Sequence, residues 1–198
     1  MQFNILTDFK NLTGVNNLRG VKKVCEILFR AKAINRDKGY HKTNYKNGDW
    51  VYGLVTRLYD GRFENISAEM TDINGVSGIE VDYKTIGQYA DLTDRNGVKI
   101  FEGDIVQYNI YDDFDCQSVV KFGEYNQDGS AGEYSARKCI GFYVDVDNFT
   151  CPDWCEDAPD YFPKHFIQQN VLEIARDCQV IGNIHDNPEL LEGGRDNG

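Results

Sequence analysis

At 198 residues, 41% hydrophobic and 27% charged, the chain can bury one sizeable core or two small ones and lacks the composition of a disordered protein. A net charge of -11 and a pI near 4.7 repel phosphate backbones and anionic lipid, so nucleic acid is not the expected general partner. No stretch approaches the roughly 20 apolar residues of a membrane span. Met1 to Asp8 lacks the basic start and apolar run of a secretory signal, so the six cysteines (Cys25, Cys116, Cys139, Cys151, Cys155 and Cys178) are expected as cytoplasmic thiols.

Residues 1–24 mix apolar and polar positions without a clean period and are expected as an extension, either packed on the domain or used as an assembly arm. Cys25 to Ile34 is open to helix or strand, because Ile27, Phe29 and Ala31 alternate with Leu28, Arg30 and Lys32. Trp50 to Val55 is aromatic and β-branched and predicts a strand. Asp60-Gly61 is hairpin chemistry between Val51–Tyr59 and Phe63–Met70. Ile79 to Val81 predicts a short strand, and Asp82 is placed to cap one helical turn over 83–85 by accepting from nearby amides.

Asp94-Arg95-Asn96-Gly97 and Glu102-Gly103-Asp104 predict turns, and Ile105 to Tyr108 a strand between them and an acidic loop at 112–115. Ser118 to Phe122 predicts a strand, Gly123 to Gly132 an exposed loop, and Lys138 to Val146 another strand. Asp147 to Lys164 holds three of the four prolines and predicts a long acidic loop, the kind of connection where function often sits. Val171 to Ile174 and Cys178 to Ile184 predict two short strands or one interrupted strand, Asn187 to Leu191 a helical turn with Pro188 at its first position, and residues 192–198 a disordered tail.

Two of these stretches carry a family resemblance. Gly87-Gln88-Tyr89-Ala90-Asp91-Leu92 through Phe101-Glu102-Gly103-Asp104-Ile105-Val106 resembles the central signature of the YopX proteins of phages and prophages. Val180-Ile181-Gly182-Asn183-Ile184-His185-Asp186-Asn187-Pro188-Glu189-Leu190-Leu191 resembles the ending of the same family, with weaker parallels at Phe29-Arg30-Ala31 and Trp50-Val51-Tyr52-Gly53. The resemblance spans roughly 25–191 and resolves Cys25–Ile34 in favour of a strand. It implies a mainly β protein with a strand-rich N-terminal part over 25–84 and, over 85–191, a small SH3-like β-barrel in which Glu102-Gly103-Asp104 marks a turn. The family brings no settled biochemical activity.

Spacing alone defines no catalytic or cofactor constellation. Cys151 and Cys155, with His165 and either Cys139 or Cys178, contain the ligand types of a zinc site, but no second tight pair accompanies them; a disulfide or redox-sensitive pair ranks ahead of metal, and packed or idle thiols are the expectation. Thiol nucleophiles paired with His41, His165 or His185 arise by chance in such a composition. Asp112, Asp113 and Asp115, and Asp153, Glu156, Asp157 and Asp160, lack the glycine and distal glutamate of a calcium loop and are expected as solvated acidic loops.

Asp94, Glu102 and Asp104 invite an acid–base reading, which yields to a structural one, since turn aspartates satisfy backbone amides and Gly97 and Gly103 permit positive φ. The aromatics Trp50, Tyr52, Tyr89, Tyr108, Tyr111, Tyr125, Tyr134, Tyr143 and Trp154 are expected as core and rim rather than a peptide groove. A basic first quarter (Arg19, Lys22, Lys23, Arg30, Lys32, Arg36, Lys38, Lys42 and Lys46) is the best argument for a nucleic-acid contact, against a solvated face. The expectation is a cytoplasmic, non-enzymatic phage or prophage protein that binds protein or itself, with no cofactor, no metal and no membrane. The alternatives are nucleic-acid association through the basic quarter, and a metal-dependent enzyme using the Cys151–His165 loop.

Overall fold

The computed structural model describes residues 25–34, 44–59, 67–110, 114–129, 134–145, 168–175 and 177–191. Their strands are β1 Phe29–Lys32, β2 Trp50–Leu58, β3 Ser67–Asp72, β4 Ile79–Asp82, β5 Gly87–Thr93, β6 Lys99–Phe101, β7 Asp104–Ile110, β8 Phe114–Gly129, β9 Tyr134–Asp145, β10 Gln168–Asn170 and β11 Gln179–Asn183. The protein is mainly β, in two antiparallel sheets: a six-stranded one ordered β4-β3-β2-β1-β5-β6 and a five-stranded one ordered β10-β9-β8-β7-β11. No closed barrel is found among the described residues. The first sheet runs past residue 84, because Arg30 of β1 pairs with Gly87 of β5.

The first sheet curls. β1 pairs with β2 from Phe29 opposite Gly53 to Lys32 opposite Trp50, and one residue later Ala33 bridges Val81 of β4, with the Ile34 amide on the Glu80 carbonyl at 2.8 Å. The enclosed space is narrow, so small side chains fill it beside branched ones: Ala31, Ala33, Val51, Ala68, Met70, Ile79 and Val81 are all buried. The expected hairpin pairs β2 with β3, its turn lying outside the described residues. Asp82 caps the 3-10 turn Tyr83–Thr85 as expected, accepting from the Lys84 amide at 3.0 Å. Thr85 then accepts from the Lys32 amide at 2.8 Å, which fixes the turn to β1.

β5 shows how two cores share one hairpin. Its Tyr89 packs with Leu28 and Phe101, while Ala90 and Leu92, on the opposite face of the pleat, pack with Ile100, Val106, Tyr108, Val120 and Val144 of the second core. Ile105 and Val106 are both fully buried, so β7 has no solvent face at that point.

Two expectations are corrected. Gly123 to Gly129 is strand, not loop, because β9 supplies cross-strand partners; Tyr125 stacks on Tyr143 at 5.1 Å and lies beside Gly141, which faces Gly123 across the ribbon. Val171–Ile174 is one helical turn, α1, not a strand. Val171, Ile174, Ala175 and Cys178 are all buried, the i, i+3, i+4, i+7 spacing of a helical face.

Glycines test this packing. A Cβ on Gly53 would sit 1.9 Å from the Thr71 carbonyl oxygen, whereas one on Gly141 would meet nothing closer than Tyr125 at 3.9 Å. Gly53→Ala is therefore expected to lower unfolding stability by about 2–3 kcal/mol and Gly141→Ala to leave it within about 0.5 kcal/mol. Urea midpoints at constant m-value measure both.

Candidate functional site

Polar side chains converge where the two sheets meet, and each arrives there for a local reason. Alternation along β1 directs Arg30 and Lys32 to the face opposite Ala31. The Glu102-Gly103 turn, with Gly103 at φ 81°, reverses the chain between β6 and β7 and sets Asp104 beneath β1. After β11, the Asn183 carboxamide oxygen accepts from the amides of His185 and Asp186, both at 3.0 Å, and so holds these two side chains toward β1 and β2.

At the centre, Arg30 is 7% exposed and Asp104 1%. Nη2 of Arg30 lies 2.5 Å from Oδ1 of Asp104, while Oδ2 accepts from the Phe101 amide at 2.7 Å. The guanidinium is stacked between two rings, 4.7 Å from the Trp50 centroid and 4.9 Å from that of Phe101. Nε of Arg30 faces no acceptor among the described residues. Burial pushes the Asp104 carboxyl up to about 6, with Arg30 and the Phe101 amide pulling it back down.

A second set lies beside it. Asp186 pairs with Lys32, accepts from the Trp50 indole nitrogen at 2.7 Å and from the Asn183 carboxamide at 2.9 Å. Its partial burial acts to raise the carboxyl, but Lys32, Asn183 and Trp50 outweigh this and hold it at about 2. His185, half-buried with its ring 6.1 Å from Trp50, is held below its usual range by burial and then by Arg30 and Lys32. The Glu102 amide donates to the Gln88 carbonyl at 2.9 Å, and burial raises the Glu102 carboxyl above its ordinary range, with the backbone of Gln88 and Phe122 pulling it back.

Asp94 joins the sheets further along. One oxygen accepts from the amides of Asn96 and Val98 at 2.8 Å each, and the other from the Val180 amide of β11 at 2.9 Å. Asp72 is built the same way: it accepts from the amides of Asn74 at 2.9 Å and Val76 at 2.8 Å, and its other oxygen takes the Tyr45 hydroxyl at 2.9 Å. The sequence holds the signal for this duplication, Thr71-Asp72-Ile73-Asn74-Gly75-Val76 and Thr93-Asp94-Arg95-Asn96-Gly97-Val98, which the chain-order reading passes over.

What this arrangement does chemically is hold two sheets together. Asp94, Asp104 and Asp186 each engage a cation or an N–H donor of a facing element. The turn reading of Asp94 agrees with its hydrogen bonds. For Asp104, the reading missed its partner Arg30, which stands 74 positions earlier in a different motif.

Most of the other candidates are not among the described residues. Cys151, Cys155, His165, His41, Asp112, Asp113, Tyr111, Trp154 and the acids of 153–160 lie outside the described residues, as do Arg19, Lys22, Lys23, Arg36, Lys38 and Lys42. Cys139 is half-exposed on β9 and Cys178 is buried, its thiol pushed up to about 11 by burial and then by Asp94. No group of three potential metal ligands occurs among the described residues. Tyr108 is in the core with its hydroxyl 3.2 Å from Ser118, and the described aromatics divide between the two sheets. Lys46 is exposed. Among the described residues no helix is long and apolar enough to cross a membrane.

Two outcomes follow from the seam. Asp94→Ala removes the acceptor of three amides and is expected to cost about 3 kcal/mol in urea unfolding. Asp104 binds its proton more tightly folded than unfolded, since its folded pKa lies above the ordinary value of 3.8. Its contribution to stability is therefore greatest below about pH 4 and is lost as pH rises through about 6. Between pH 4 and 7, wild type should lose more stability than Asp104→Asn; parallel curves would refute this.

A family model described as YopX protein matches residues 28–192, a range that includes every residue of the seam from Arg30 to Asp186. No curated protein matches the chain.

Proposed function

The chain belongs to the YopX protein family, and on that premise we propose that it is a non-enzymatic module of phage or prophage origin that works in the bacterial host cytoplasm by binding protein, with a second copy of itself as the first occupant. The observation that carries this reading is the outer face of the β8–β9 ribbon. Ile140 is 78% and Phe122 47% exposed, and Phe122 pairs across the ribbon with Phe142 at 4.9 Å. Val120 and Val144, one step along the same face, belong to the core, so the ribbon carries an apolar stripe out of the interior into solvent.

One anion and one cation, Glu124 and Lys138, stand beside this stripe at 2.6 Å from each other. An apolar centre flanked by both signs of charge is self-complementary, as a twofold interface requires. The enzyme reading has less support, because the seam carboxylates and Arg30, Lys32 and Asp186 are engaged with one another. The nucleic-acid reading loses Arg30 and Lys32 for the same reason.

The SH3-like character implied by the resemblance is better assigned to β1–β5 than to 85–191. What supports this is the curl that brings Ala33 to Val81, whereas from Asp104 onward the strands form an open order.

Light scattering on the purified full chain at rising concentration tests the reading, with Ile140→Lys and Phe122→Ser alongside. A wild-type mass that climbs toward twice the monomer, and variants that stay monomeric, are the expected result. A monomer at all concentrations that instead retains a discrete host protein after nuclease treatment, by way of Ile140, would replace the second copy with that partner. Retention abolished by nuclease, or one zinc per chain, would overturn the proposal.

A further inference from the structure

The two Asp-x-Asn-Gly-Val loops share more than their clamping carboxylates. In each, the aspartate amide donates to the valine carbonyl, Asp72 to Val76 at 2.9 Å and Asp94 to Val98 at 2.8 Å, and the glycine amide donates to the aspartate carbonyl, at 3.0 Å in both. Each loop is also tied to a neighbouring element, by the Ile73 amide on the Tyr52 carbonyl at 2.9 Å and by the Arg95 amide on that of Cys178 at 3.1 Å. Gly75 and Gly97 have φ of 86° and 80°, and a Cβ on either would meet nothing within 4 Å. Conformation, not crowding, calls for glycine there.

That glycine has a chemical consequence. Asn74 and Asn96 are exposed, and each precedes a residue without a side chain, the setting in which a backbone nitrogen is least hindered from attacking the carboxamide before it. The glycine nitrogen bonds to the asparagine Cγ, the bond from Cγ to the side-chain nitrogen breaks, and the displaced proton departs on the leaving ammonia. Water then opens the cyclic imide at one carbonyl, leaving aspartate, or at the other, leaving an isoaspartyl link whose main chain is one methylene longer. In the folded loops the attacking nitrogen is held. Its hydrogen is engaged by the aspartate carbonyl, while the aspartate Oδ1 fixes the amides on either side, those of Asn74 and Val76 or of Asn96 and Val98.

We propose that Asn74 and Asn96 are deamidation sites kept latent by Asp72 and Asp94, so that the chain is modified there when a loop opens. The second site bears on the seam. Asp94 also accepts from the Val180 amide of β11, and an isoaspartyl link at 96 lengthens the main chain between the two amides that share its Oδ1, loosening the loop that joins the sheets. Asp72 takes the Tyr45 hydroxyl instead, beside the first core.

Peptide mapping by mass spectrometry of the full chain, incubated at alkaline pH where the glycine nitrogen loses its proton most readily, follows both sites through the mass gained as amide becomes carboxyl. In the folded wild type each site should deamidate at least about ten-fold more slowly than in the urea-unfolded chain at the same pH and temperature. Asp94→Ala should speed Asn96 and leave Asn74 at its wild-type rate, and Asp72→Ala should do the reverse. Equal rates in the folded and unfolded wild type would overturn the proposal, as would a folded Asp94→Ala chain in which Asn96 reacts no faster. A variant in which both sites accelerate together has unfolded, and the wild-type comparison then decides.

Discussion

The buried pair of Arg30 and Asp104 is the constraint on which the rest of the arrangement depends. Taking two charges out of water costs several kcal/mol per ion, and their attraction returns that only when geometry and further hydrogen bonds are good. Here Asp104 also accepts from the Phe101 amide, and the guanidinium lies between the rings of Trp50 and Phe101. Such a pair adds little net stability, but it penalises any docking of the sheets in which either charge is left alone. It therefore selects one relative placement of β1 and β7, and β2, β6 and β11 follow.

Around this centre the same chemistry is used repeatedly: a carboxylate held by its own turn reaches an amide or cation of another element. Asp94 closes the β5–β6 hairpin and reaches Val180; Asp104 accepts from Phe101 at its own turn and reaches Arg30; Asp186 is held by Asn183 and reaches Lys32 and Trp50. The stretches that carry the family likeness, Phe29-Arg30-Ala31, Trp50 to Gly53, Gly87 to Val106 and Val180 to Leu191, are the ones that meet at the seam. Their shared role among the described residues is architectural.

Much of the local structure was legible. Trp50 to Val55, Ile79 to Val81 and Ile105 to Tyr108 are strands because β-branched and aromatic residues fit a half-buried pleat, and the Asp82 cap and Pro188 turn follow from side-chain hydrogen bonding and a fixed φ. What was not legible depends on partners distant in sequence. Gly123 to Gly129 has loop composition, and only Tyr143 and the strand carrying it make it sheet. At Val171–Ile174 the i, i+3, i+4, i+7 signal was present but extends through Cys178, past the residues read as a strand. Arg30 reads locally as part of a basic quarter, and nothing adjacent to it announces Asp104.

A double-mutant cycle on that pair tests the account most directly, with Arg30→Met and Asp104→Leu made singly and together and compared by urea unfolding. Each single substitution leaves a buried group without its partner and is predicted to cost about 3–5 kcal/mol, and the double substitution to cost clearly less than the sum. Single costs that simply add would show that the two side chains act independently, and the seam would then owe its placement to something other than this ion pair.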